Sequence, residues 1–264
     1  MIDYKNSIVI IGAVGAGKGL VSKALARKLN MEVINCDEFR HLPSIKEIKR
    51  VLSSHDISPR IHDEFLRYKH LREKYPNIKN YKDFGFKRDV SEYLKHNFGD
   101  TAWHFYQKAF ENFLMQEICE NVSGAVILDT GGGMPISFDE GYKTLQNKFI
   151  SLDKKLFFKE FKHLDHIGKH ITDAIFGNFE NIIYLQMPEH KSQRSTKANE
   201  NSFNKIALHS GDYDRLCTHK IHTDNLFSGN NHSDVRLNQI VCEIEDFCNS
   251  SSQNEIWSIY LIKL

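Results

Sequence analysis

The chain has 264 residues, 41% of them hydrophobic and 26% charged, and a formal net charge of +1; that is length enough for one large domain or a core with an inserted subdomain, and no global field draws it to nucleic acid or an anionic membrane. No apolar stretch approaches the roughly 20 residues of a membrane span, and none follows a basic N-terminal region as a secretory signal would. The five cysteines (Cys36, Cys119, Cys217, Cys242, Cys248) are scattered without a Cys-x-x-Cys, which predicts free thiols and a cytoplasmic setting.

Taken in order, the first element is Ile8-Val9-Ile10-Ile11, a continuous β-branched run that predicts a strand buried on both faces. Gly12-Ala13-Val14-Gly15-Ala16-Gly17-Lys18-Gly19 follows, and then Leu20, Val21, Ala24, Leu25 and Leu29 recur at helical spacing. Strand, glycine loop, lysine and helix is the order a phosphate-binding P-loop requires. Glycines at Gly12, Gly15, Gly17 and Gly19 let successive N–H groups turn inward around phosphate oxygens, where a Cβ would obstruct them. Val14, Ala16 and Leu20 complete the cradle, the helix N-terminus adds partial positive charge, and Lys18 reaches the outer phosphates. The alternative is a glycine-rich turn that binds nothing; the lysine in register and both correct flanks weigh against it.

The loop departs from the usual pattern after Gly17-Lys18. Most P-loops place a Ser or Thr there, whose hydroxyl ligates Mg²⁺; here Gly19 and Leu20 follow, and neither carries a hydroxyl. Magnesium then needs another ligand. Met31-Glu32-Val33-Ile34-Asn35 reads as a second strand that delivers Asp37 to the same sheet edge. Ala125-Val126-Ile127-Leu128 reads as a third and ends on Asp129. An acid closing a buried strand is the arrangement that holds a P-loop metal, directly or through water.

Between those strands, residues 38–123 read as a helical insertion. Pro43-Ser44 opens a helix with Ser44 as N-cap and Glu47 three residues on. Arg60 to Lys95 carries ten Lys/Arg against six Asp/Glu, interleaved with aromatic residues; a solvated helical face with its aromatics in the core is favoured over a nucleic-acid surface. Trp103, Tyr106, Phe110, Phe113 and Leu114 form a helical stripe. After the third strand, Thr130-Gly131-Gly132-Gly133 lets backbone approach a ligand closely, against the alternative of a flexible turn.

A second helical insertion spans 142–181. Its His163, His166 and His170 share one helical face, but no cysteine or acidic cluster joins them, and among 14 histidines chance explains the spacing better than zinc does. Pro188 to Lys205 is polar and carries Lys191, Arg194, Lys197 and Lys205. Ile256 to Ile262 has strand-like composition, as an edge strand or a segment packed on the core.

Ile8 to Asp37, Ile127 to Gly133 and Ile183 to Pro188 together resemble shikimate kinase and its relatives among the small P-loop kinases, while the Gly-Lys-Gly run resembles the loop of adenylate kinases, which carry Thr where Leu20 stands. The resemblance covers about half the chain. It implies a single domain over 1–264 with a three-layer α/β fold and a parallel five-stranded sheet in the order 2-3-1-4-5, with Ile183 to Pro188 as the fourth strand, Ile221 to Asp224 as the fifth and a helix from about Ser233 to Phe247 after it. The segments 38–123, 142–181 and 189–211 are then the helical acceptor-binding insertion, the second insertion and the lid. The resemblance further implies ATP and Mg²⁺ as cofactors and phosphoryl transfer to the hydroxyl of a small-molecule acceptor. Lys18 would stabilise the moving phosphoryl group, Asp37 would orient or deprotonate the acceptor, and Asp129 would position Mg²⁺ through water, with Asp37 a second metal candidate. Arg194 would close from the lid, and Gly131, Gly132 and Gly133 would lie against the acceptor. The pattern departs from that family at the acceptor. Asn35 stands where the family has its first acid; His104 and His209 stand at or nearest its acceptor-binding arginines, and Asn201 at or near its lid arginine. Histidine does not replace a bidentate arginine without loss, so the acceptor expected is not shikimate. Two other readings stay open: a P-loop transferase acting on a nucleoside monophosphate or a tRNA base, and a nucleotide-binding protein without turnover.

Overall fold

The computed structural model describes residues 1–40, 42–78, 96, 100–136, 169–187, 211–224, 226 and 232–261. In chain order their elements are β1 (Ile8–Ile11), α1 (Lys18–Leu29), β2 (Glu32–Asn35), α2 (Cys36–Arg40), α3 (Ile45–Leu52), α4 (Pro59–Lys74), α5 (Asp100–Asn121), β3 (Val126–Asp129), α6 (Lys169–Phe176), β4 (Asn181–Gln186), α7 (Asp212–Leu216), β5 (His219–His222) and α8 (His232–Leu261). They fall into two compact units, one within Met1–Ile2, Cys36–Gly124 and Ser137–Ile175, the other within Asp3–Asn35, Ala125–Ile136 and Phe176–Leu264.

The second unit holds a five-stranded sheet in the order β2-β3-β1-β4-β5, every pair parallel, as the resemblance implies. β1 is central because it is apolar on both sides: all four of its isoleucine and valine residues are buried, with Ile8 beside Ile127 on β3 and Asn181 on β4. Removing each such side chain from water contributes about 1.5–3 kcal/mol. Ile10, Leu25, Ile183, Leu185, Ile221, Ile240 and Ile244 join sheet, α1 and α8 in one core. The outer strands are more polar, with burial on β5 confined to Ile221. β5 therefore starts at His219, two residues ahead of the expected Ile221, since an edge strand needs only one inward apolar residue and hides its start from a search for apolar runs.

One expectation is corrected here. Ile256 to Leu261, strand-like in composition, continues α8 as helix. β-Branched and aromatic content is a weak prior, and a helix already set by Ile240, Val241 and Ile244 overrides it.

The first unit is helical among the described residues. Ser44 caps α3 as expected, its Oγ accepting the Glu47 N–H at 3.2 Å. Ser58 does the same for α4 through Ile61 N–H, with Pro59 in the first turn. Tyr68 and Tyr75 are buried, Tyr75 edge-on to Phe39 with centroids 5.8 Å apart, while Arg60, Arg67, Lys69 and Lys74 are exposed. Among the described side chains of the α5 stripe Phe110 and Leu114 are buried, yet α5 also takes Lys108, Glu111 and Asn112 into the interior, and the Thr172 hydroxyl donates to Asn112 Oδ1 at 3.4 Å. Ser44→Ala, which leaves the Glu47 N–H without its cap, is expected to lower stability by about 1 kcal/mol, read as a lower urea midpoint at unchanged slope.

Candidate functional site

The glycine loop leaves β1 at Gly12 and enters α1 at Lys18, and three of its glycines have positive φ: Gly12 at 150°, Gly15 at 85° and Gly17 at 88°. Gly12 is also sterically committed, because a Cβ there would stand 2.7 Å from the Leu185 carbonyl oxygen on β4. Gly15 faces open space, with no atom within 4 Å of its Cβ position. α1 begins with Gly17 as an N-cap that offers no side-chain acceptor and has no acidic residue in its first turn, so no first-turn carboxylate offsets the positive end of its dipole. Lys18 folds back over the loop and donates its Nζ to the carbonyls of Gly12 (2.9 Å) and Ala13 (3.1 Å). Val14 and Leu20 are exposed and Ala16 is fully buried.

The end of β3 packs on this loop. Asp129 pairs in register with Ile10 on one side and Asn35 on the other and is 8% exposed. Its Oδ2 lies 3.2 Å from where a Cβ on Gly19 would be. Thr130 prolongs the strand by giving both its hydroxyl (2.9 Å) and its N–H (3.3 Å) to the Ile10 carbonyl. The glycine turn then crosses the loop: a Cβ on Gly132 would meet Val14 Cγ2 at 3.1 Å and Val14 N at 3.4 Å. Gly132 is thus glycine so that two backbones can touch, a reason that sequence reading, which aims the triplet at an acceptor, does not supply.

Tyr213, buried in α7, donates its hydroxyl to the Gly132 carbonyl and stacks on Tyr184 with centroids 5.0 Å apart. Burial, with the Asp214 carboxylate and Cys217 nearby as lesser causes, pushes the Tyr184 phenol up to about 12, so Tyr184 stays neutral throughout the working range of pH. No signal in the sequence joins Tyr213 to Gly132; only the fold does. Tyr213→Phe keeps the ring and orphans the carbonyl, and is expected to cost about 1–3 kcal/mol of stability, measured as a lower unfolding midpoint that a bound nucleotide recovers only in part.

Lys18, Asp129 and Gly131 to Gly133 therefore share the second unit, on the side of the sheet where β1 and β3 end. Asp37 lies in the first turn of α2, exposed, within the first unit. His104 belongs to α5, with its side chain outside the described residues, and Arg194, Asn201, His209, His163 and His166 lie outside them too. His170 is in α6. Among the described residues no group of three His, Cys, Asp or Glu side chains could hold a metal by itself, and no helix is long and apolar enough to cross a membrane. The site nevertheless fits a magnesium–phosphate pair, since Mg²⁺ takes one or two carboxylates together with phosphate oxygens and water. The Asp129 carboxylate, buried beside the loop, is a group of that kind.

No family model matches the chain, and no curated protein does. Among solved structures, shikimate kinase from Bacteroides thetaiotaomicron is similar over 92% of this chain and 98% of its own, with 15% sequence identity and a TM-score of 0.40. The strand order and the loop between β1 and α1 define the architecture on their own terms. The fold is a parallel α/β one, five strands in the order β2-β3-β1-β4-β5 with the glycine loop between β1 and α1.

Proposed function

We propose that the chain binds ATP in the loop Gly12 to Leu20 and transfers its γ-phosphoryl group to the hydroxyl of a small-molecule acceptor. The observation that carries this reading is Lys18 poised over the loop carbonyls at the uncapped start of α1. On binding, its ammonium exchanges two neutral carbonyl acceptors for charged phosphate oxygens, which form the stronger charge-assisted bonds. The positive end of α1 and the loop N–H groups complete the cradle. Asp129 would hold magnesium, which supplies charge neutralisation between the outer phosphates. Asp37, just past the end of β2 in the chain, is proposed to orient the acceptor hydroxyl, with Arg194 closing from the lid and His104 and the glycine triplet on the acceptor side. Catalysis of this kind is positioning and electrostatics, so few side chains are needed. The free cysteines support a reducing, cytoplasmic setting.

A second reading, nucleotide binding without turnover, is favoured by the absence of a hydroxyl at both Gly19 and Leu20. One experiment separates them. Titration calorimetry with ATP is expected to show binding, and ADP release is expected to rise with some member of a panel of hydroxylated metabolites. Absence of ATP binding would sink the proposal; binding with no acceptor-stimulated ADP release leaves the second reading standing.

A further inference from the structure

We infer that Gly19 and Asp129 form a matched pair in which the carboxylate at the end of β3, in place of a loop hydroxyl, is the protein's direct oxygen ligand to the nucleotide's divalent cation, and residue 19 is glycine to admit it. The inference rests on the nucleotide reading above and replaces a water-mediated contact by a direct one.

The first observation is that Gly19 has no backbone reason to be glycine. Gly12, Gly15 and Gly17 have positive φ, whereas Gly19 is an ordinary helical residue in the first turn of α1, where glycine is among the poorest helix formers. What it does have is a neighbour: the Asp129 Oδ2, 3.2 Å from its Cβ position. A seryl Oγ, one bond beyond that Cβ, would compete with the carboxylate for one place. The oxygen supplied elsewhere by the loop is here supplied by the strand, and the two cannot be present together without one giving way.

The second observation is that the carboxylate cannot easily retreat. Asp129 is buried, laddered between Ile10 and Asn35, and followed by Thr130, which is fastened twice to the Ile10 carbonyl. The exchange also changes the charge. A hydroxyl ligand is neutral; a carboxylate is an anion that repels phosphate when no cation lies between them. Nucleotide affinity should then depend on magnesium more steeply than a hydroxyl-bearing loop requires. A structural alternative exists, in which Asp129 serves only as the anion at the start of α1, a favourable place for a carboxylate.

The test measures ATP affinity by calorimetry in MgCl₂ and in EDTA, alongside melting temperature, for the intact chain and four variants. Asp129→Asn is expected to weaken magnesium-dependent affinity roughly 10- to 100-fold, as loss of one charge-assisted contact implies, while affinity in EDTA stays level or improves. Gly19→Ala adds only a methyl group, in a residue that favours helix, so it should weaken the magnesium-dependent affinity with no loss of melting temperature. Asp129→Ala should lose the magnesium dependence, and Gly19→Ser added to Asp129→Ala should restore part of it, because the hydroxyl then has room. If Asp129→Ala does not fold, Asp129→Asn and Gly19→Ala still decide the matter. The pairing is overturned if Gly19→Ala leaves the magnesium dependence intact, or if Asp129→Asn shifts both conditions and the melting temperature alike, as the anion-only role requires. If the intact chain binds no ATP in either buffer, the nucleotide reading itself has failed and takes the pairing with it.

Discussion

Gly12→Ala is expected to be the most damaging single substitution in the second unit. The added methyl would stand 2.7 Å from the Leu185 carbonyl oxygen, and the backbone at this position has φ 150°. Neither partner can yield cheaply, since the obstacle is the backbone of a buried, doubly paired strand. Backbone strain and overpacking each contribute about 1–3 kcal/mol, a large part of the roughly 5–15 kcal/mol that separates a folded domain from its unfolded chain. The expected result is a chain that unfolds at much lower urea, or reaches the insoluble fraction. Gly15→Ala is the control. It suffers strained backbone alone, with nothing within 4 Å to strike, so it should lose no more than the strain contribution, about 1–3 kcal/mol. Equal losses for the two would show that contact with β4 does not dictate the first glycine.

Lys18→Ala should do the reverse, sparing the fold and removing the ligand. The side chain's hydrogen bonds to Gly12 and Ala13 span a partly exposed loop, so their loss should move the melting temperature little. Two charge-assisted bonds to phosphate, at about 1.5–3 kcal/mol each, correspond to a fall in ATP affinity of at least roughly 100-fold. Calorimetry in magnesium reads this directly. An unchanged affinity would mean that the loop is a structural turn and that the functional proposal is wrong.

The sheet was legible wherever a strand is buried on both faces. Strands β1, β3 and β4 announce themselves through the unbroken apolar runs Ile8–Ile11, Val126–Leu128 and Ile182–Leu185. β5 is less legible because three of its four residues are polar or charged, and at the end of α8 composition alone does not choose between an edge strand and a packed segment. The order of the strands was not in the pattern; it came with the resemblance and agrees with the pairing observed. At the site, spacing revealed the loop and the missing hydroxyl. Spacing could not reveal that Gly132 rests on Val14, that Tyr213 reaches Gly132, or that the Asp129 oxygen faces Gly19. Each of these joins residues far apart in sequence across a close approach, and local pattern contains no information about such meetings.

The central place of β1 has a consequence for how the chain is made. Ile8 is synthesised well before its neighbours Ile127 and Asn181, so this apolar strand emerges ahead of both partners and waits for them. β3 can pair with it only after the stretch Cys36–Gly124 of the first unit has been synthesised, and β4 only after Ser137–Ile175 as well. Such distant parallel pairing is slow, because the entropy of closing a long loop must be met before any contact rewards it. During that interval Ile8-Val9-Ile10-Ile11 is an unpaired sticky segment, and rapid synthesis gives such a strand more chance to aggregate before its partners arrive.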